Sequence, residues 1–311
     1  MKADPKALPP PPLVEASTAR RLSLDVARRL DGLLQGDHLG YLPGPGTEPA
    51  ESRHYSPGDD VRRMDWAVTA RTQVPHVHTT TAERELETTV LVDLSGSMSF
   101  GTARAEKRDV ALALAAAFLH LGSRPGDRVR ATVLGADGIR ALPPRGGRDG
   151  ALLMLHTLLR QPRAMAGGPL LGQALAGLAA ARHRRGLVVV VSDLLDPVET
   201  WSRPLRIIGT RHDVVVAQVV DRRELSLPSV GALRLVDPES GRQLEIATGA
   251  KVRARYAAAA AERLEQQRLG VRAAGAGHAV IRTDEDWLPQ LARFLTTRRR
   301  TRTALRPAGA S

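Results

Sequence analysis

Cysteine is missing from this chain, and aromatic side chains make up only 3% of its 311 residues. The first absence excludes disulfides, thiolate zinc sites and thiol nucleophiles. It fits a cytoplasmic protein, with peripheral membrane contact as an extension of that reading. The second leaves the core to aliphatic packing by Leu, Val and Ala. Long apolar runs are also lacking. The longest, Val110 to Leu119, falls far short of the roughly 18 residues that a membrane span requires. The opening "MKADPKALPPPPL" is proline-rich and has no apolar h-region, so it does not read as a secretory signal. There is no P-loop, so the chain is not expected to hydrolyse ATP itself. No Gly-x-Ser-x-Gly surrounds Ser95 or Ser97, and no His/Asp order marks a nucleophile.

Charge of one sign dominates: Lys and Arg number 45 against 33 Asp and Glu, a net charge of +12. Such a surface attracts nucleic acid, an anionic membrane face or an acidic partner. Solvated arginine faces are the favoured explanation, because basic charge alone names no ligand. The arginines are spread along the chain, except for Arg298, Arg299, Arg300, Arg302 and Arg306 near the end. Residues 298–311 therefore read as a basic tail beyond the last amphipathic helix. Binding of nucleic acid or an anionic surface through that charge is the alternative to the functional reading developed below.

Residues 1–16 read as a disordered, proline-rich start. Residues 17–85 form an N-terminal extension, in which Leu22, Val26, Leu30 and Leu33 have helical spacing and Gly36 can end the helix. From residue 86 to 297 strands alternate with helices. The strands are expected at 88–93, 128–134, 187–192, 213–220 and 278–282, and the helices at 103–121, 149–160, 170–183, 200–208, 251–269 and 286–297. Asp137-Gly138 marks a hairpin leading to a short antiparallel strand at 139–142, and "DPESG" at 237–241 marks a second hairpin. "LVVVV" at 187–191 and "VVVAQVV" at 214–220 are continuous apolar runs, as in strands covered on both faces. The fold class is α/β: a doubly wound, mostly parallel sheet, Rossmannoid in type, carrying an N-terminal extension.

In such sheets ligands sit beyond the carboxyl ends of the strands, at the switch point of the topology. "TTVLVDLSGSMS" delivers Asp93, Ser95 and Ser97 to that edge, and "LVVVVSDLLD" delivers Ser192 and Asp193. Hard divalent ions take oxygen ligands, and Mg²⁺ keeps several waters. One carboxylate and two hydroxyls on a turn make a partial shell that a second strand-end aspartate can complete. Helix and loop capping by the two aspartates is the structural alternative. The combination resembles the von Willebrand factor A domain and its Asp-x-Ser-x-Ser metal-ion-dependent adhesion site. The resemblance implies Ser95 and Ser97 as direct ligands of Mg²⁺ or Mn²⁺, with Asp93 and Asp193 binding directly or through water. The family usually adds a threonine, and Pro169 stands in the matching segment "AGGPLLGQAL", so the expectation is a weakly held ion, an extra water in the threonine's place, or a vestigial site.

Upstream, "RHYSPGDDVRRMDWAVTAR" at 53–71 carries Arg53, Tyr55, Gly58, Asp59, Arg62, Asp65, Trp66, Ala70 and Arg71. This string resembles the hallmark of the bacterial domain of unknown function 58 family, whose hallmark precedes a von Willebrand A-like domain. The segments "DRRELSLPSVGALRLVDPESG", "RARY" and "RTDEDWLPQLARFL" look typical of the same family. The resemblance implies a non-enzymatic adaptor or co-chaperone of a MoxR-type AAA+ ATPase, with other von Willebrand A-like proteins as further partners. For the hallmark residues a structural role is expected, with Trp66 pinning the extension by packing and the charges forming buried pairs. His76-x-His78 reads as surface or edge-strand histidines for want of a nearby acidic or third histidine ligand. Asp221, Glu224, Asp237 and Glu239 read as turn and hairpin residues. A metal-dependent hydrolase acting through Asp93 is the weakest alternative.

Overall fold

The structure, a computed structural model, describes residues 21–29, 52–57, 59–78, 86–124, 126–164, 171–181, 183–236 and 242–304. The expected disordered start at 1–16, Gly36, Gly58, Pro169 and the hairpin tip at 237–241 lie outside them. The described residues begin with a helix at 21–29, α1. A small layer follows, in which β1 (Ser52–His54) pairs antiparallel with β2 (His76–His78) and α2 (Trp66–Thr72) lies between them. The main body then runs β3 (Glu87–Asp93), α3 (Lys107–Leu121), β4 (Arg128–Gly135), β5 (Gly138–Gly146), α4 (Gly147–Leu159), α5 (Leu171–Ala180), β6 (Gly186–Ser192), α6 (Val198–Gly209) and β7 (Asp213–Val220). It closes with α7 (Arg222–Leu225), β8 (Ala232–Val236), β9 (Gln243–Ala247), α8 (Ala250–Ala273), β10 (Gly277–Arg282) and α9 (Trp287–Ala304).

Six strands form one sheet in the order β10-β7-β6-β3-β4-β5, parallel throughout except for the antiparallel edge strand β5. Successive valines in β6 and β7 point to opposite faces and are buried on both. One face packs on α1, α3, α4 and α9 through residues such as Val92, Phe118, Leu155 and Leu291. The other packs on α5, α6 and α8 through Leu175, Trp201 and Val271. This is the doubly wound α/β class that the apolar runs imply. Gly138, at φ +95°, makes the tight return from β4. β5 then runs four residues past the expected end at 142, through Pro143 and Pro144. Proline removes a donor, and an edge strand tolerates that loss. No helix among the described residues is long and apolar enough to cross a membrane.

Packing and polar contacts fix the helices. Glu106 and Asp109 form a reciprocal capping box that starts α3 at Lys107, four residues after the expected start. Pro204 lies inside α6 and cannot donate to Thr200 O. A Cβ at Gly172 would lie 2.5 Å from that same oxygen, so glycine lets α5 close on α6 at this point. Buried Val26 seats α1 on the core, and Arg29 Nη2 reaches Asp286 Oδ2 at 2.6 Å.

The basic end differs from its expectation. α9 does not stop at 297 but continues to Ala304. Arginine favours helix, and Arg298 has a fixed place in the fold. Its guanidinium pairs with Asp213 and donates to Val214 O at 3.1 Å, tying α9 to the start of β7. Arg298→Ala should lower the unfolding free energy by about 1–3 kcal/mol in a urea titration, as for loss of a charged hydrogen bond. Exposed Arg300→Ala should change it by less than about 0.5 kcal/mol. Equal, negligible effects would restore the reading of a tail detached from the fold.

Candidate metal centre

Strand order decides where a site can form. From β3 the chain crosses to β4 on one side, and β6 later joins β3 on the other. The carboxyl ends of β3 and β6 therefore flank the switch point, where the two crossovers part and leave a crevice. Asp93 ends β3 and Ser192 ends β6, with Asp193 next in the chain. Ser95 opens a 3-10 turn over Gly96–Ser99 that holds Ser97. Asp93, Ser95, Ser97 and Asp193 are all at most 5% exposed. The structure thus brings the four residues singled out from the sequence to one sheet edge.

Hydrogen bonds orient them. Ser95 N–H donates to Asp93 Oδ1 at 3.0 Å and Ser192 Oγ donates to Asp93 Oδ2 at 2.7 Å. The hydroxyls of Ser95 and Ser97 stand 3.2 Å apart. In the same turn Ser99 Oγ is buried with no hydrogen-bond partner. Burial and then the negative charge of Asp193 push the Asp93 carboxyl up to about 6, against these hydrogen bonds. Two acids that repel each other beside two hydroxyl oxygens suit a hard cation, which would relieve the repulsion. Among the described residues no three of His, Cys, Asp or Glu converge as a metal-binding group. A cation here would depend on the serine oxygens and water, which fits a weakly held Mg²⁺ or Mn²⁺.

Two functional candidates escaped the sequence reading. Lys107, wholly buried, donates from Nζ to Asp193 Oδ2 at 2.7 Å and to Glu224 Oε1 at 2.5 Å. Burial works against the ammonium, but the charges of Asp193 and Glu224 outweigh it and hold Lys107 above its ordinary value. Glu224 is itself pushed up, because burial outweighs an ammonium that it shares with Asp193. Glu224 was legible only as a turn residue, and it does form a capping box with Asp221 at α7. Asp221 is also the next strand-end acid along the edge. Burial raises it, but hydrogen bonds led by Thr102 outweigh burial and hold it below the usual carboxylate range. Thr102 and Thr283 both donate to it, so it ties the loop before α3 to the end of β10. Asp196 Oδ2 accepts from Leu171 N–H at 2.7 Å, fixing the start of α5 directly after the segment that holds Pro169.

A model of the family described as "Protein of unknown function DUF58" matches residues 51–266. The chain belongs to the DUF58 family. Uncharacterized protein Rv1480 of Mycobacterium tuberculosis is 47% identical over 92% of this chain and 90% of its own length, and Mb1516 of Mycobacterium bovis matches equally. These matches indicate no enzymatic family. Among solved structures, BatB from Bacteroides thetaiotaomicron is 14% identical, with a TM-score of 0.40 over 69% of this chain and 99% of that one. The von Willebrand factor type A protein from Catenulispora acidiphila is 13% identical, with a TM-score of 0.41 over 71% of this chain and 44% of that one.

The DUF58 hallmark lies in the small β1–β2 layer. Asp65 is buried, accepts from Val68 N–H at 3.0 Å to cap α2, and accepts from Ser52 Oγ. Tyr55 N–H donates to Pro75 O, and Asp59 Oδ2 accepts from Ser56 N–H within the turn. Arg53 pairs with Val77 in the strand register. These contacts are structural. Trp66, however, is 69% exposed, and Arg62 and Arg71 are exposed too. The expected pinning of the extension by Trp66 and buried ion pairs is therefore not what the structure shows at these three positions. His76 is buried, with its ring 4.6 Å from that of His54 and Nδ1 2.7 Å from Val74 O, which makes it a packed strand residue.

The raised Asp93 has a consequence with a definite sign. Its carboxyl has an ordinary value of 3.8 and sits near 6 when folded, so the folded state holds the proton more tightly. The charged form thus costs stability, a cost absent below about pH 4 and complete above about pH 6. In chelator, the stability advantage of Asp93→Asn over wild type should grow from near zero at pH 4 towards about 3 kcal/mol at pH 7. Urea titrations across that range measure it. A gap that does not change with pH would contradict the buried, repelled state of Asp93.

Proposed function

We propose that this DUF58 protein is a non-enzymatic protein-binding module, with a Mg²⁺ or Mn²⁺ site in the crevice between β3 and β6. One observation carries the reading: buried Asp93 and Asp193 meet at the switch point beside the hydroxyls of Ser95 and Ser97. Ser95 and Ser97 would be direct ligands, and Asp93 and Asp193 would hold the ion directly or through water. When bound, the ion would supply an open coordination position that a partner's carboxylate can take. Ser192 holds Asp93 in place for that task, and Leu195 N–H holds Asp193 Oδ1 at 3.2 Å. No base or leaving-group donor is needed for such a role.

The partner in this proposal is a MoxR-type AAA+ ATPase, for which the protein would act as adaptor or co-chaperone. That assignment rests on the family resemblance. The exposure of Val61, Arg62, Trp66 and Arg71 supports it by offering apolar and basic side chains to a partner. Aromatic and arginine side chains are favoured anchors at protein interfaces. The net charge of +12 would speed encounter with an acidic partner.

Affinity measurements with the purified ATPase test the proposal. Chelation, Asp93→Ala or Ser97→Ala should each weaken association at least about tenfold, since each removes a shell that the partner completes. Rising salt should chiefly slow association. Binding that ignores both chelator and Asp93→Ala would end the metal-bridge mechanism while leaving the adaptor role. Failure of the ATPase to bind at any ion concentration would end the adaptor role.

A further inference from the structure

Lys107 is an unusual neighbour for a cation site. It opens α3, far from the strand-end residues in sequence, yet its ammonium lies between Asp193 and Glu224 with none of the side chain exposed. The Phe100 ring stands 5.8 Å from Nζ and covers it on another side. Asp193 spends its two oxygens on Lys107 and on Leu195 N–H. Among the described residues Asp93 meets only neutral donors, from Ser95 and Ser192. One carboxylate of the crevice thus carries a counter-ion and the other does not.

We infer that Lys107 is the resident cation of the crevice and sets the affinity of the site by competing with a divalent ion for Asp193. The inference rests on the metal reading above and deepens it. Like charges at contact range repel, and the repulsion is strong where water is excluded. An ion placed between Asp93 and Asp193 therefore meets the Lys107 ammonium as well as the two acids. Glu224 gives the ammonium a second partner, so it can release Asp193 without losing all compensation. The arrangement gives Asp193 a counter-ion shared with Glu224 in the ion-free protein, while Asp93 accepts from neutral donors. The site is then suited to an ion held weakly, and held best when a partner's carboxylate adds its own charge.

The test is calorimetry with Mn²⁺ on wild type and on the Lys107→Met/Glu224→Gln double variant. That pair of changes removes one positive and one negative charge, so the net charge is kept while Asp193 loses its counter-ion and is left open to the metal. The double variant should bind Mn²⁺ at least about tenfold more tightly than wild type and gain more in Tm from the ion. Lys107→Arg, which keeps the charge, should stay as weak as wild type. Tight binding by the double variant where wild type gives no heat would also support the inference, as a site silenced by its lysine. Equal or weaker binding by the folded double variant would overturn it and leave the metal reading intact. No binding by either protein would overturn both. Wild type gives a readout free of folding effects. The ¹⁵N resonance of the Lys107 ammonium should shift on Mg²⁺ addition, with the midpoint of the binding heat. A resonance unmoved while Mg²⁺ binds would overturn the inference.

Discussion

Asp193 and Glu224 share the single buried ammonium of Lys107, Asp93 at the neighbouring strand end accepts from Ser95 and Ser192, and the organisation of the sheet edge follows from that shortage of positive charge. Asp193 is compensated by Lys107, while Asp93 is buried beside it and pushed up to about 6. Burying an uncompensated acid is costly, and natural folds keep such a group where it serves a ligand or partner. The surrounding contacts are arranged around that cost. Ser192 and the Ser95 backbone restrain Asp93, and Asp221 binds the neighbouring loop to β10 through Thr102 and Thr283. A rigid frame of this kind is what a binding site of defined geometry requires.

Two surfaces then stand out for recognition, and they differ in chemistry. The site between the ends of β3 and β6 is buried, acidic and set by strand topology. Val61, Arg62, Trp66 and Arg71 are each exposed, apolar or basic, in the layer where Asp65 caps α2. A partner using both would bring acidic groups to each, one to complete an ion's shell and one to meet the arginines. The weakness of a site tuned by Lys107 would suit exchange rather than permanent capture.

Much of the sheet was legible because continuous valine runs have few alternatives. The strand expected at 213–220 has those bounds, and Asp93 and Asp193 fall at strand ends as their positions after apolar runs imply. The Lys107 contacts were not legible. They join residues 86 and 117 positions apart, and no periodicity announces a pairing at such separation. The helical state of residues 298–304 was hidden by charge, since a run of arginines reads as solvated whether it is coiled or helical. Trp66 was misplaced for the opposite reason: a tryptophan among charges suggests burial, and here Trp66 is exposed while its neighbour Asp65 is buried.

The central claim is that the crevice between β3 and β6 holds a divalent cation through Asp93, Ser95 and Ser97. Anomalous scattering from crystals grown with Mn²⁺ tests it most directly. The account predicts one strong manganese peak at that sheet edge, within coordination distance of the Ser95 and Ser97 hydroxyls and of Asp93 or a water bound to it. Clear density for those side chains with no anomalous peak between them, at saturating Mn²⁺, would contradict it.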